Sequence, residues 1–433
     1  MLFRSLSGVD PNQIKGLSFG TLWKGIIPVS GNKALCNSIL WLDGRAEDQA
    51  ARINARFPQA GYSGFSYWPK LLWLRENKPQ IVEKADWIME VNTFLKWKAT
   101  GVAATDVSNS FLRSFDPALD SYYRELMQFM DIPLEKIPPF VAATEQVGLV
   151  TKQAAKELGI LPGIPVFGGC NDIQAVTIGA GCPQVGQVHA YFGSSGWLGF
   201  TVAHTAMPAT TPFDHSRDVQ MAGMKAVGLS LNWIIRTLFS EQADALGSEI
   251  YEELNRRVVQ VPAGSDGVFA TPWLFGENPG VAGLDARCCF LNLSASHTRD
   301  HMARAMMEGV CYHLRQVTQM VCKGKNLPYP KKISAVGGGS CSDVWMQIMA
   351  DVMDVTVQVP DQPRHAGAIG TAYTALIGLG LCPDYESVSR QIRYSRCFTP
   401  NPENRQCYDR GFSVYQTLYT TLKPIFDEKR RNI

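Results

Sequence analysis

Two rhythms of apolar and polar positions run along the 433 residues. Short apolar runs bounded by Gly, Ser, Asn or Pro predict strands over 26–29, 39–42, 164–167, 188–192, 197–202, 268–271 and 355–359. Between them, apolar residues spaced three and four apart predict helices over 45–57, 70–76, 87–98, 122–130, 173–179, 366–379 and 409–422. The most regular stripe is Met302, Met306, Val310, Leu314, Val317 and Val321. It predicts a long helix over 298–323 with Thr298 as N-cap. Strands and helices alternate through both halves of the chain. That order predicts an α/β protein of two domains, 1–184 and 185–433, with a cleft between them.

Glycines interrupt this pattern where chemistry is expected. Gly337, Gly338 and Gly339 stand between a strand end at 333–336 and a helix predicted to start near Ser342, carried by Trp345, Ile348, Met349 and Val352. Glycines cost backbone entropy and are kept where the chain bends sharply or something approaches it closely. Either a flat or anionic ligand lies on this turn and the helix N-terminus, or the turn is merely tight. Gly193-Ser194-Ser195-Gly196 joins two predicted strands as a hairpin. It is either a nest for phosphate oxygens or a plain connection. Asp172 follows the 164–167 strand and Gly168-Gly169, just before a helix. A carboxylate there can take a proton from a bound hydroxyl, or cap the helix, or both. Trp41, Asp43 and Arg45 share one face if their strand continues, as a sugar pocket or as a salt bridge beside a core Trp.

Composition narrows the field. Charged residues are 18% and apolar ones 45%, as in soluble proteins with large cores. A net charge of +2 argues against a nucleic-acid or membrane-surface partner. No apolar run approaches the ~18 residues of a membrane span, and residues 1–8 are too short and polar for a signal peptide. The eleven cysteines are scattered without a CxxC pair, which suits reduced thiols in the cytosol. His297 and His301 share a helix face without an acidic or cysteine partner, so a helix end is expected there rather than zinc. There is no GxxxxGK[ST], and no GxGxxG follows a strand.

Taken in order, these segments resemble the FGGY family of carbohydrate kinases, of which xylulokinases and glycerol kinases are familiar members. Residues 39–45, ILWLDGR, are similar to the family's WxDxR segment. Phe65 with 70–77, KLLWLREN, resembles its first signature, although Tyr67 departs from the usual residue. Residues 92–95 and 105–109 follow a glycerol-kinase-like pattern, 168–172 the catalytic segment, and 193–196 the second phosphate hairpin. Residues 290–309 resemble the second signature, and 337–340 with Trp345 and Asp351 the adenosine turn. Nearly the whole chain is covered.

The resemblance implies a ribonuclease H-like (actin-like ATPase) fold whose two domains close over sugar and ATP. It implies Asp172 as the base for the sugar hydroxyl and a Mg2+ ion bridging the ATP phosphates. Gly193, Ser194 and Ser195 would hold phosphate, and Gly337, Gly338, Gly339 and Ser342 the nucleoside. Trp23, Lys24, Trp41, Asp43, Arg45 and Asn171 would face a small sugar, a ketopentose such as xylulose or a related polyol. A cytoplasmic enzyme is implied, with a homodimer left open.

Three departures qualify this. Leu22-Trp23-Lys24-Gly25 stands where xylulokinases tend to carry Met-His-Gly. Lys24 either favours an acidic or differently hydroxylated substrate or points to solvent. Cys170 replaces a common glycine. No Asp-x-Gly-Thr hairpin occurs, and the chain's beginning matches the family only from the end of the helix that follows that hairpin. A shortened kinase sequence is the reading adopted, with exposed sheet edges expected. A catalytically inactive sugar- or nucleotide-binding pseudokinase, and strands supplied by another chain, are the alternatives.

Overall fold

The computed structural model describes residues 8–205, 211–277 and 281–431. Residues 1–7, most of the segment unsuited to a signal peptide, lie outside them. The first half contains β1 (Gly20–Thr21), β2 (Ile27–Ser30), α1 (Glu47–Arg56), α2 (Tyr67–Asn77), β3 (Trp87–Met89), α3 (Val91–Thr100), α4 (Pro117–Phe129), β4 (Pro165–Phe167), β5 (Cys170–Asn171) and α5 (Asp172–Gly179).

Two expectations fail here for one reason. The 87–98 stretch is not a single helix: Trp87–Met89 pairs antiparallel with β2, and α3 starts only after Glu90. Ile88 and Met89 are fully buried by that pairing, which outweighs their helical spacing. Likewise 39–42 is no strand. Only Ile39 pairs, with Ile26, and the chain then turns, the Asp43 amide donating to the Leu40 carbonyl. α3 does end as expected on Gly101, at a φ of 78° that few side chains tolerate. α4 begins earlier than 122 because the Asp116 carboxylate accepts from the amides of Ala118 and Leu119 and Pro117 suits the first turn. The core of this half gathers Tyr67, Trp68, Leu71, Phe111, Tyr123 and Leu126.

The second half contains β6 (Val188–Phe192), β7 (Gly196–Ala203), β8 (Arg217–Met224), α6 (Gly228–Leu238), α7 (Arg299–Lys325), β9 (Lys332–Val336), α8 (Asp343–Met353), β10 (Thr356–Pro360), α9 (Ala366–Gly378), β11 (Tyr394–Phe398) and α10 (Arg405–Arg431). One sheet runs through it in the order Thr211–Pro212, β8, β7, β6, β9, β10, β11. β6, β9 and β10 are parallel neighbours, and the outer pairs are antiparallel. The expected strand near 268–271 shrinks to Phe269–Ala270, paired with Phe290–Leu291.

α7 follows its sequence pattern. Met306, Val310 and Leu314 are buried in the core, and the Thr298 hydroxyl accepts from the Asp300 amide. His301 completes the cap, its Nδ1 accepting from the Thr298 amide at 3.2 Å. The Nδ1 of His297 accepts from the Ser294 amide at 2.9 Å, so both rings serve the helix entrance. Among the described residues there is no group of three metal-ligating side chains, all cysteines are free thiols, and no helix is long and apolar enough to cross a membrane.

The halves meet through α5 and α9. A Cβ on Gly179 would strike the Ala366 carbonyl, and one on Gly370 the Ala175 carbonyl. Glycine at both places lets the two helix backbones touch, which carries the N-terminus of α5 to the seam.

Candidate active site

Asp172 is the first residue of α5, at the carboxyl end of β5, which pairs in parallel with β1. Every other residue of α5 is buried; Asp172 alone is partly open. It does not cap its helix. Asn171 does, its Oδ1 accepting from the Gln174 amide at 2.8 Å. Asp172 Oδ1 accepts from the adjacent Ile173 amide, at 3.1 Å. Burial pushes this carboxyl up to about 6, against the pull of the backbone amides. A carboxylate poised near neutrality with oxygens to spare is suited to general-base work.

The turn that holds Asp172 is fastened from below. Asn171 is fully buried, its amide donating to Ser108 Oγ at 2.8 Å and its Nδ2 to the Ser108 carbonyl at 2.7 Å. Ser108 Oγ donates in turn to Asp106 Oδ1 at 2.7 Å. The sequence places Asn171 against the sugar; the structure spends its polar atoms on positioning the neighbouring carboxylate.

Asp172 lines a cavity of about 1030 Å³ together with Ser194, Ser195, Tyr191 and Trp197. Residues 13–18 and 20, the 363–365 turn and one side of α9 also line it. Such a volume lies at the upper end of ordinary ligand sites. The two glycine turns leave neighbouring strands at the same edge. Tyr191 of β6 pairs with Val336 of β9, one residue before Gly337. Gly337 has a φ of 93°, and a Cβ on it would sit 2.6 Å from the Phe192 carbonyl oxygen. Its amide donates at 2.8 Å to the carbonyl of Pro363, itself on the cavity wall. Gly339 packs against Phe192 and Trp345, while nothing lies within 4 Å of a Cβ position on Gly338. The Gly193–Gly196 hairpin is steadied by α6, whose Gly228 and Leu229 amides donate to the carbonyls of Gly193 and Ser194. Their carbonyls thus face the helix, while Ser194 and Ser195 line the cavity.

Tyr191 and Trp197 were not singled out in the sequence. They are cross-strand partners stacked at 4.2 Å between ring centroids. Burial, and then the Asp172 charge, pushes the Tyr191 phenol up, which marks it as a neighbour of that carboxylate. The signal was the hairpin register: residues two before Gly193 and one after Gly196 must face each other.

Other expected residues lie elsewhere. Ser342 caps α8, accepting from the Trp345 amide at 3.1 Å, and donates to Asn255 Oδ1 at 2.6 Å. Its hydroxyl is therefore occupied structurally. Without a strand at 39–42, Trp41, Asp43 and Arg45 do not form one face. Trp41 is 46% exposed. Arg45 grips Asp43 by Nε and Nη2 at 2.8 and 2.6 Å and lies over the ring of Trp73 rather than Trp41. Trp23 packs against Phe111 on one side and the Ile173 cluster on the other, one residue from Asp172. The Lys24 ammonium lies 4.1 Å over the Trp23 ring. Cys170 is fully buried beside the Thr371 hydroxyl, and burial pushes its thiol up, so it is unreactive packing.

Models of the FGGY family of carbohydrate kinases match residues 2–179 with the family's N-terminal domain and 203–379 with its C-terminal domain. The chain belongs to the FGGY family of carbohydrate kinases. A xylulose kinase of Staphylococcus epidermidis is 28% identical over 95% of this chain and 84% of its own length. An L-xylulose/3-keto-L-gulonate kinase of Escherichia coli is 28% identical over 96% and 85%. The solved structure of a ligand-bound xylulose kinase from Lactobacillus acidophilus superposes with a TM-score of 0.84 at 22% identity, over 99% of this chain and 88% of that one. The fold is thus the two-domain, actin-like one, and this FGGY chain is a sugar kinase.

Proposed function

We propose that this FGGY kinase transfers the γ-phosphoryl group of ATP to a hydroxyl of a small sugar, a ketopentose such as xylulose or a related polyol. The observation that carries the reading is the single cavity shared by Asp172, Ser194, Ser195 and the Pro363 turn to which Gly337 is bonded. Phosphoryl transfer asks chiefly for positioning and charge neutralisation. Asp172, ionised above about 6, accepts the proton of the attacking hydroxyl. Ser194 and Ser195 donate to phosphate oxygens, and Lys15 and Arg364 add positive charge to the same walls. Gly338, with open space above it, lets the nucleoside lie on bare backbone.

Asp172 is also the only acidic side chain among the described residues lining the cavity. It would reach a Mg2+ ion carried by the ATP phosphates, and such an ion supplies neutralisation of their charge. Division of labour follows the halves, with 1–184 taking the sugar through Trp23 and Lys24 and 185–433 taking the nucleotide.

The test is ADP release by the purified chain against a panel of ketoses and polyols, beside Asp172→Asn. At least one sugar should release ADP and yield a phosphate ester, and the variant should not match it. If the two proteins release ADP equally slowly with every sugar, the proposal is wrong.

A further inference from the structure

Tyr191 carries a hydroxyl with no work inside the protein. The residue is half-buried and lines the cavity with Asp172, Ser194 and Ser195. Among the described residues its hydroxyl has no hydrogen-bond partner. A tyrosine withdrawn from water normally finds one. The ring itself is firmly held. Trp197, its cross-strand partner, stacks on it, and the Trp197 indole N–H donates to His189 Nε2 at 3.3 Å. His189 is fully buried, and burial brings its imidazole down to about 3, so the ring is neutral and can accept. Gly199, paired with His189, leaves room for it: a Cβ there would strike the imidazole. Val176 of α5 and Ala366 of α9 pack in one cluster with Tyr191 and Trp197. Three rings in series thus fix one phenol whose hydroxyl is left for something else.

The position of that hydroxyl says what for. Tyr191 and Gly193 lie two apart and share a face of the chain. A Cβ on Gly193 would stand 2.8 Å from the Tyr191 hydroxyl oxygen and closer still to its ring. Glycine at 193 therefore lets the phenol lie over the first residue of the phosphate hairpin. On its other flank the Asp172 charge, after burial, pushes the phenol up. Both causes keep the proton on, so Tyr191 is a donor rather than a base. One cavity thus holds a carboxylate to take the proton of the attacking hydroxyl, a hairpin for phosphate, and a neutral donor adjoining both. The group that meets all three in phosphoryl transfer is the one transferred, whose charge is spread over three oxygens.

We infer that Tyr191 is a catalytic residue whose hydroxyl donates a hydrogen bond to a nonbridging oxygen of the γ-phosphoryl group during transfer. This rests on the kinase reading above and adds a residue to it. The sugar oxygen bonds to phosphorus, the bond from phosphorus to the departing ADP oxygen breaks, and the sugar proton goes to Asp172. Tyr191 keeps its own proton throughout. Trp197 and His189 are positioning residues for its ring.

The experiment compares the full chain with Tyr191→Phe, which keeps the ring and loses the hydroxyl, and with Trp197→Phe, which keeps a ring and loses the bond to His189. ADP release is measured with the sugar turned over fastest, and inhibition with ADP alone and with ADP plus aluminium fluoride, a mimic of the group in transfer. Tyr191→Phe should lower kcat by about tenfold or more, with KM for ATP and sugar changed less than about threefold and the denaturation midpoint barely moved. It should weaken inhibition by ADP with aluminium fluoride about tenfold and by ADP alone hardly at all, because the bond forms in the transition state. Trp197→Phe should lower kcat by a smaller factor. A Tyr191→Phe enzyme with kcat intact overturns this inference and leaves the kinase reading standing. So does equal weakening of both inhibitors, which would make the phenol a prop for the hairpin. If the full chain releases no ADP with any sugar, the kinase reading falls and takes this one with it.

Discussion

Lys96 with Asp106 in the first half, and Arg304 with Glu308 in the second, are both ion pairs withdrawn from water. They are built to opposite standards. Lys96 Nζ stands 3.5 Å from Asp106 Oδ2 and makes its shorter bond, 2.6 Å, to the Gly168 carbonyl. The other oxygen of Asp106 accepts from the Ser108 hydroxyl, and so reaches Asn171 and the Asp172 turn. Beside it Glu90 is pushed up to about 7, burial being the main cause. Arg304 instead meets Glu308 at 2.8 Å, and Tyr408 bonds both partners. Gly264 and Ser265 donate to the same carboxylate, and the Val258 carbonyl takes a remaining guanidinium proton. The second pair ties α7 to α10, to the loop at 264–265 and to the helix Ile250–Val258, with its hydrogen-bonding capacity used. The first is loosely matched as a pair: Lys96 favours the Gly168 carbonyl, and Asp106 accepts from the Ser108 amide and hydroxyl and from Asn109 Nδ2. Buried charge stabilises poorly unless satisfied, and Asp106 is satisfied largely by the segment that holds Asn171 rather than by Lys96.

That contrast can be broken in four ways. Glu308→Ala should cost most, about 3–5 kcal/mol of unfolding free energy, because it strands a buried guanidinium. Denaturant titration measures it, and turnover per folded molecule should stay near that of the parent. Asp172→Asn should reverse the pattern, with turnover down at least ~10²-fold and the denaturation midpoint barely moved. Acidity gives a smaller effect. Protonated Asp172 cannot accept a proton, so kcat/KM should climb as pH rises through about 6 and then level. At pH 5 it should be about tenfold below the plateau. Ser108→Ala is the mildest: it removes the acceptor of the Asn171 amide and should cost ~1 kcal/mol of stability. It should also lower kcat several-fold with KM little changed. A loss of stability with kcat intact would mean that the first pair is as purely structural as the second.

Much of this molecule was legible in its sequence where the signal is local. The α7 stripe and its Thr298 cap, Gly101 closing α3, the 193–196 hairpin and the Gly337 turn each depend on residues within a turn or two of one another. Their periodicity and φ requirements therefore stand in the chain itself. The order of those segments also sufficed for the family.

Tertiary structure decided whatever needed a distant partner. Trp87–Met89 became a strand because β2, some sixty residues earlier, offered an open edge. Trp41, Asp43 and Arg45 parted because only Ile39 found a partner in Ile26. Asn171 rather than Asp172 became the cap because Ser108 held it from below. Asp172, Ser194 and the Pro363 turn share a cavity only because glycines at 179 and 370 let α5 and α9 touch. Pairing energies across long loops are set by which surfaces meet, and a pattern read along one strand of sequence carries no record of that.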